Sequence, residues 1–170
     1  MAAWYPDESR ALRSNGRPGF SALAGGRLLI GEYPAPRDAA WMRSEQGVGA
    51  VLCLQDDDDF ASKRVDPQGM AEAYREQGIE FHRVPVVDGD PEHLAVRLPG
   101  IVDLLHRLLE ANHRVYLHCN AGFNRAPTVA IAYFHVHGGL RLEDAERLVK
   151  ESRSCMPYRR ALELAYPSAR

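Results

Sequence analysis

Short apolar runs alternate with longer stretches of helical period along this chain, and that alternation narrows the available folds more than any other feature. Leu28-Leu29-Ile30, Ala50-Val51-Leu52-Cys53-Leu54, Phe81-His82-Arg83-Val84-Pro85-Val86-Val87 and Val115-Tyr116-Leu117-His118 read as strands. Helical stretches follow near 38–46, 67–77, 92–111, 127–137 and 142–153. In the third, Leu94, Leu98, Ile101, Val102, Leu105, Leu108 and Leu109 draw one apolar stripe, with Pro99 bending or restarting the helix. The pattern predicts an α/β fold: a central, mostly parallel sheet flanked by helices. In such sheets ligands sit at the carboxyl ends of the strands, in loops that enter helices. The chain has 170 residues, enough for one domain. Residues 1–26 hold turn formers without a steady period and read as an N-terminal arm over the domain, pinned by Trp4, Tyr5 and Phe20; residues 27–170 read as the domain itself.

Lys and Arg number 21 against 23 Asp and Glu, a net charge of −2. That balance argues against the broad cationic field of a nucleic-acid or membrane-surface binder, so neither partner is expected. No apolar run approaches the roughly 18 residues of a membrane span. The first residues are acidic, polar and broken by proline, unlike a signal or transit peptide. Cys53, Cys119 and Cys155 are odd in number and too few for a disulfide scaffold, which suits a reduced, cytoplasmic setting. The seven histidines show no ligand spacing, so no metal or other cofactor is expected.

The segment after the strand at 115–118 reads His118-Cys119-Asn120-Ala121-Gly122-Phe123-Asn124-Arg125-Ala126-Pro127-Thr128. Phosphoryl transfer to sulfur needs a thiolate, and a free thiol with a pKa of about 8.5 is mostly protonated at neutral pH. A cysteine just before a helix N-terminus gains positive potential from unpaired amides and the helix dipole. Five intervening residues can curl into a nest of N–H groups around phosphate oxygens, which makes Asn120, Ala121, Gly122, Phe123, Asn124 and Arg125 the candidate phosphate-binding residues. Gly122 permits a turn that a β-carbon would obstruct, and Arg125 offers a planar two-pronged donor that lysine cannot imitate. Pro127 starts the helix where a missing N–H does no harm.

His-Cys-x5-Arg in this setting resembles the signature of cysteine-dependent protein tyrosine and dual-specificity phosphatases, over about residues 27–158. The resemblance implies the dual-specificity phosphatase-like fold, with the catalytic loop between a strand and a helix, and makes 27–170 the catalytic domain. It implies Cys119 as nucleophile, Arg125 as phosphate clamp, and a general acid on a loop about thirty residues earlier. Asp88, followed by Gly89, stands there, with Asp90 the alternative and Asp66 and Asp103 at less fitting separations. Cys119-Asn120-Ala121-Gly122, Arg125-Ala126-Pro127, Cys53-Leu54-Gln55, Arg97-Leu98-Pro99 and Arg153-Ser154-Cys155-Met156-Pro157 are similar to the glucan phosphatases of laforin and plant starch-excess type. That similarity implies a phosphorylated glucan substrate, starch- or glycogen-like; the alternative is a phosphoprotein. The neutral loop side chains fit a sparsely phosphorylated neutral polymer better than a polyphosphorylated headgroup.

The chain departs from that subfamily in places. Asn124 stands for an expected Gly, and Gly89 and Met156 for aromatics. Phe60 and Phe123 remain as candidate glucan contacts, with Trp41 and Tyr33 behind them. The acidic run Asp56–Asp59 reads as a solvated loop, or as a repulsive wall for polyanions if it faces the pocket. The family's Ser or Thr after the arginine, which supports sulfur as a leaving group, is Ala126 here. This implies slow phosphocysteine breakdown unless Asn124 or Thr128 substitutes. Placed by the family fold near the catalytic loop, Cys53 is a candidate disulfide partner for Cys119 under oxidation. Outside this class stand a phosphate-binding pseudophosphatase and a rhodanese-like sulfur carrier, in which Asp88 would have no role.

Overall fold

The structure, a computed structural model, describes residues 16–168. Five strands, β1 (Phe20–Leu23), β2 (Leu28–Gly31), β3 (Ala50–Cys53), β4 (Glu80–Arg83) and β5 (Val115–His118), lie in the order β1-β2-β5-β3-β4. β1 runs antiparallel to β2, and every other pairing is parallel. The helices are α1 (Ala39–Ser44), α2 (Asp57–Lys63), α3 (Pro67–Glu76), α4 (Pro91–Glu110), α5 (Arg125–Val136), α6 (Leu142–Ser152) and α7 (Arg159–Ala165). This is the expected α/β architecture, with the sheet buried on both faces.

Strand alternation divides the interior into two cores. Leu28, Ile30, Leu52, Leu54, Val115 and Leu117 face one side, where they meet α4, α5 and the buried residues of α6 and α7. Leu29, Val51, Cys53 and Tyr116 face the other, against Met42, Phe60, Met70 and Tyr74. The apolar stripe of α4 packs in the first core as one unbroken helix. Pro99 lies on its exposed side, and the helix does not restart there.

Three assignments differ from the sequence reading. The segment assigned to an arm supplies β1, because Phe20–Leu23 pair with Leu28–Gly31 across a tight turn at Ala24–Gly26. The sheet therefore begins before residue 27; Trp4 and Tyr5 lie outside the described residues. The strand expected to reach Val87 stops at Arg83, although Val84 and Val86 still donate to the carbonyls of Cys53 and Leu54. Finally, the acidic run is the first turn of α2, not a loop.

Candidate active site

β5 lies between β2 and β3, and its carboxyl end delivers Cys119 to the loop that enters α5. Four successive carbonyls of that loop are turned outward and bonded. Tyr33 N donates to Asn120 O at 2.8 Å, and Met156 N to Phe123 O at 2.8 Å. Arg153 donates through Nη2 to Ala121 O at 3.0 Å and through Nε to Gly122 O at 2.6 Å. A trans peptide points its N–H opposite to its C=O, so the N–H groups following these carbonyls face inward. Gly122 makes the bend at φ +63°, and a Cβ there would stand 2.5 Å from Gly31 O. Only glycine fits on both counts.

Arg125 is the first residue of α5 and is 1% exposed. Its Nη1 donates to Asp59 Oδ2 at 2.7 Å and to Val86 O at 2.7 Å. Its buried Nε has no hydrogen-bond partner and lies 3.3 Å from Asp88 Oδ1, an ion-pair distance without bond alignment. A buried, charged donor left unsatisfied beside a nest of N–H groups is the feature a phosphate oxygen would complete. Burial disfavours the charge of Arg125, but Cys119, Asp59 and Asp88 outweigh it and hold the guanidinium above the ordinary arginine range.

Asp59 was missed as a site residue. It closes a capping box with Asp56, each side chain accepting from the other's backbone N–H. Its Oδ1 accepts from Asn120 Nδ2 at 2.6 Å, and Asn120 Oδ1 accepts from Gln55 Nε2 at 2.8 Å. Burial pushes the Asp59 carboxyl up, yet Arg125 and these donors hold it below the usual carboxylate range. The Asp-x-x-Asp spacing announces the cap, but nothing local to it points to an arginine 66 residues away.

The shallow hollow above the loop is lined by Asp88, Cys119, Asn120, Ala121, Phe123, Asn124 and Arg125. Asp88 is thus at the pocket. Asp90 is spent on capping α4 through His93 N, Asp66 caps α3, and Asp103 lies 3.9 Å from His137. Phe60, named as a candidate glucan contact, is 2% exposed in the second core, with the Arg83 guanidinium 4.7 Å over its ring. Its ring is therefore closed to a sugar. Phe123 stays at the pocket, beside Met156, which is 63% exposed. Trp41 packs at a tilt against Phe20 with Arg17 over its ring, and Lys63 lies over Tyr33.

Of the two proposed substitutes for the missing hydroxyl at Ala126, Thr128 has its one hydroxyl proton committed and Asn124 has one of its two amide protons committed. Thr128 Oγ1 donates to Asn124 O and accepts from Tyr158 N, and Asn124 Nδ2 donates to Met156 O. The three cysteines are free thiols. Cys53 lies in register with His118 and faces the second core, whereas Cys119 packs against the first. Burial pushes the Cys53 thiol up to about 12, which leaves it protonated at neutral pH. Among the described residues, no group of three or more His, Cys, Asp or Glu side chains could hold a metal ion.

The catalytic-domain model "Dual specificity phosphatase, catalytic domain" matches residues 36–162. The chain belongs to the dual-specificity phosphatase family. Among curated proteins, the amyloplastic phosphoglucan phosphatase DSP4 of Castanea sativa is 37% identical over 133 residues, covering 76% of this chain and 35% of its own length. The chloroplastic phosphoglucan phosphatase LSF1 of Arabidopsis thaliana is 34% identical over 70% of this chain and 20% of its own. Laforin of Mus musculus is 31% identical over 66% and 37%. This dual-specificity phosphatase chain therefore aligns with only about a fifth to a third of those relatives' lengths. Among solved structures, Tk-PTP in its active form superposes with a TM-score of 0.69 at 22% identity, over 85% of this chain and 92% of that one. Kinase associated phosphatase gives 0.71 at 18%, over 87% and 92%. At those identities the likeness establishes the fold.

Proposed function

We propose that this protein hydrolyses phosphomonoesters through a Cys119 phosphocysteine and that its substrate is a phosphorylated glucan. The carrying observation is the inward-facing loop from Cys119 to Arg125, with the unsatisfied Arg125 Nε facing Asp88 across the pocket. A substrate phosphate would take over that guanidinium edge and the loop N–H groups. The Cys119 thiolate would attack phosphorus as the ester P–O bond breaks, and Asp88 would pass its proton to the departing oxygen. In the second step Asp88, now a carboxylate, takes a proton from water; the oxygen bonds phosphorus, the S–P bond breaks, and phosphate leaves.

The glucan assignment is supported by the names of the relatives above and by the pocket's chemistry. Among the described residues, Arg125 is the one basic side chain lining the hollow; Phe123, Asn120, Ala121 and Asn124 are neutral. Met156 and Val87, 63% and 45% exposed, add apolar surface bonded or joined to Phe123 and Asp88. A phosphoprotein substrate is the second reading, supported by dual specificity protein phosphatase 26 of Bos taurus at 31% identity over 93 residues. Three free thiols support a reducing compartment, which we propose to be the cytoplasm.

The test is phosphate release by wild type and Cys119→Ser from phosphorylated amylopectin, p-nitrophenyl phosphate and a phosphotyrosine peptide. Glucan turnover at least matching the aryl rate and lost in Cys119→Ser is expected. Turnover of the aryl and peptide substrates alone would overturn the glucan assignment, and no turnover of any would overturn the phosphatase.

A further inference from the structure

Asp88 has a second neighbour besides Arg125. The Tyr158 hydroxyl lies 3.2 Å from Asp88 Oδ1 and accepts from Gly89 N at 2.9 Å. Because Gly89 N–H occupies a lone pair of that oxygen, its single proton is directed at the carboxylate. Both ends of Tyr158 are fixed. Its backbone N–H donates to Thr128 Oγ1 at 2.8 Å, and its carbonyl accepts from Ala161 and Leu162 in the first turn of α7. Thr128 Oγ1 in turn donates to Asn124 O, at the end of the phosphate loop. One residue thus joins the acid loop, through its hydroxyl, to the loop that holds the nucleophile, through its backbone N–H and Thr128, with 70 residues of sequence between Asp88 and Tyr158.

Resting on the reading of Asp88 as the general acid, we propose that Tyr158 is a positioning residue that holds the Asp88 carboxyl at the pocket, where its proton can reach the leaving oxygen. Arg125 Nε lies 3.3 Å from the same carboxylate oxygen that meets the phenol. When phosphate takes Arg125, the carboxyl gives up that ion pair, and the phenol goes on holding it. Gly89 suits the arrangement: at φ +76° it turns its N–H onto the phenol in a conformation that favours glycine. Burial, and then the Asp88 charge, push the Tyr158 hydroxyl up to about 12, so it remains a neutral donor wherever Asp88 can work.

General-acid help matters most when the departing oxygen is basic, so an ill-placed Asp88 should be costly for an alkoxide and nearly silent for p-nitrophenolate. The experiment measures kcat/KM for wild type, Tyr158→Phe, Asp88→Asn and the double variant on p-nitrophenyl phosphate, phenyl phosphate and phosphorylated amylopectin. Because kcat/KM reports the first transfer, slow phosphocysteine breakdown does not mask it. Tyr158→Phe keeps the ring. It should lose roughly tenfold on amylopectin, the scale of one charge-assisted hydrogen bond, a clear factor on phenyl phosphate, and under about twofold on p-nitrophenyl phosphate. In the Asp88→Asn background it should cost nothing further. Equal losses on all three substrates, no loss, or losses that multiply with Asp88→Asn would overturn the proposal. If wild type ignores amylopectin but turns over both aryl esters, the glucan reading fails while the aryl pair still judges Tyr158. Should Tyr158→Phe unfold, Tyr158→Trp tests the same ordering.

Discussion

Arg125 needs an anion beside it even when no phosphate is bound, because a guanidinium buried this deeply without a partner would be severely penalised. Asp59 supplies the permanent one and leaves Nε for the substrate. Asp59→Asn keeps the shape and removes the charge, so it should lower stability by about 2 kcal/mol at neutral pH. The sign with pH is fixed. A carboxyl held below its unfolded value of about 3.9 contributes fully above that pH and loses its contribution as pH falls through the folded value. The gap between wild type and Asp59→Asn in urea melts should therefore be constant from pH 7 to 5 and close below about pH 4; a gap that widens in acid would refute the pairing. Ala126 calls for a different measurement. Ala126 has no hydroxyl, and the Thr128 hydroxyl already donates to Asn124 O, so neither side chain eases sulfur's departure. Ala126→Ser should raise kcat by roughly threefold to tenfold, the worth of one hydrogen bond, and leave kcat/KM unchanged. A kcat that stays flat in a folded variant would remove the explanation.

At the scale of elements, what the sequence disclosed depended on how far apart the cooperating residues lie. Cys119 and Arg125 share one loop between a strand and a helix, so spacing alone exposes them. Asp88 was named because the family resemblance implies an acid about thirty residues before the cysteine and the strand–turn pattern ends there; Asp90 stayed an alternative until the structure showed it capping α4. Arg153 and Tyr158 carried no comparable signal. Their contacts, across 31 and 70 residues, exist only because α6 and α7 fold back against α5 and α4. The segment from Arg153 to Tyr158, visible in the sequence as a resemblance without a job, is a strap that fastens loop carbonyls and acid loop together. β1 was illegible for a similar reason. Phe20-Ser21-Ala22-Leu23 has no apolar alternation of its own, and its pairing with β2 is specified by the turn at 24–26 and by the edge it covers. Phe60 shows the opposite error: an aromatic beside an acidic run looks exposed until the run proves to be a helix whose inner face carries it into the core.

For the molecule as a whole, the net charge of −2 gives no general attraction for anions, so any binding of a phosphate-like ion must come from the site. An ion bound only by the native state raises the melting temperature by mass action, about 2.7 kcal/mol at a hundred times its dissociation constant. For a domain of this size that corresponds to a rise of roughly 5–10 °C. Tungstate, a tetrahedral dianion, should produce such a rise in wild type and in Cys119→Ser, because the N–H nest and Arg125 do the binding and sulfur only reacts. Arg125→Met should abolish it, since among the described residues no second basic side chain lines the hollow. A tungstate shift that survives Arg125→Met would place the anion elsewhere on the surface and separate the loop's shape from its use; its loss with Arg125 alone would tie the whole fold's stability to the phosphate site at the carboxyl end of β5.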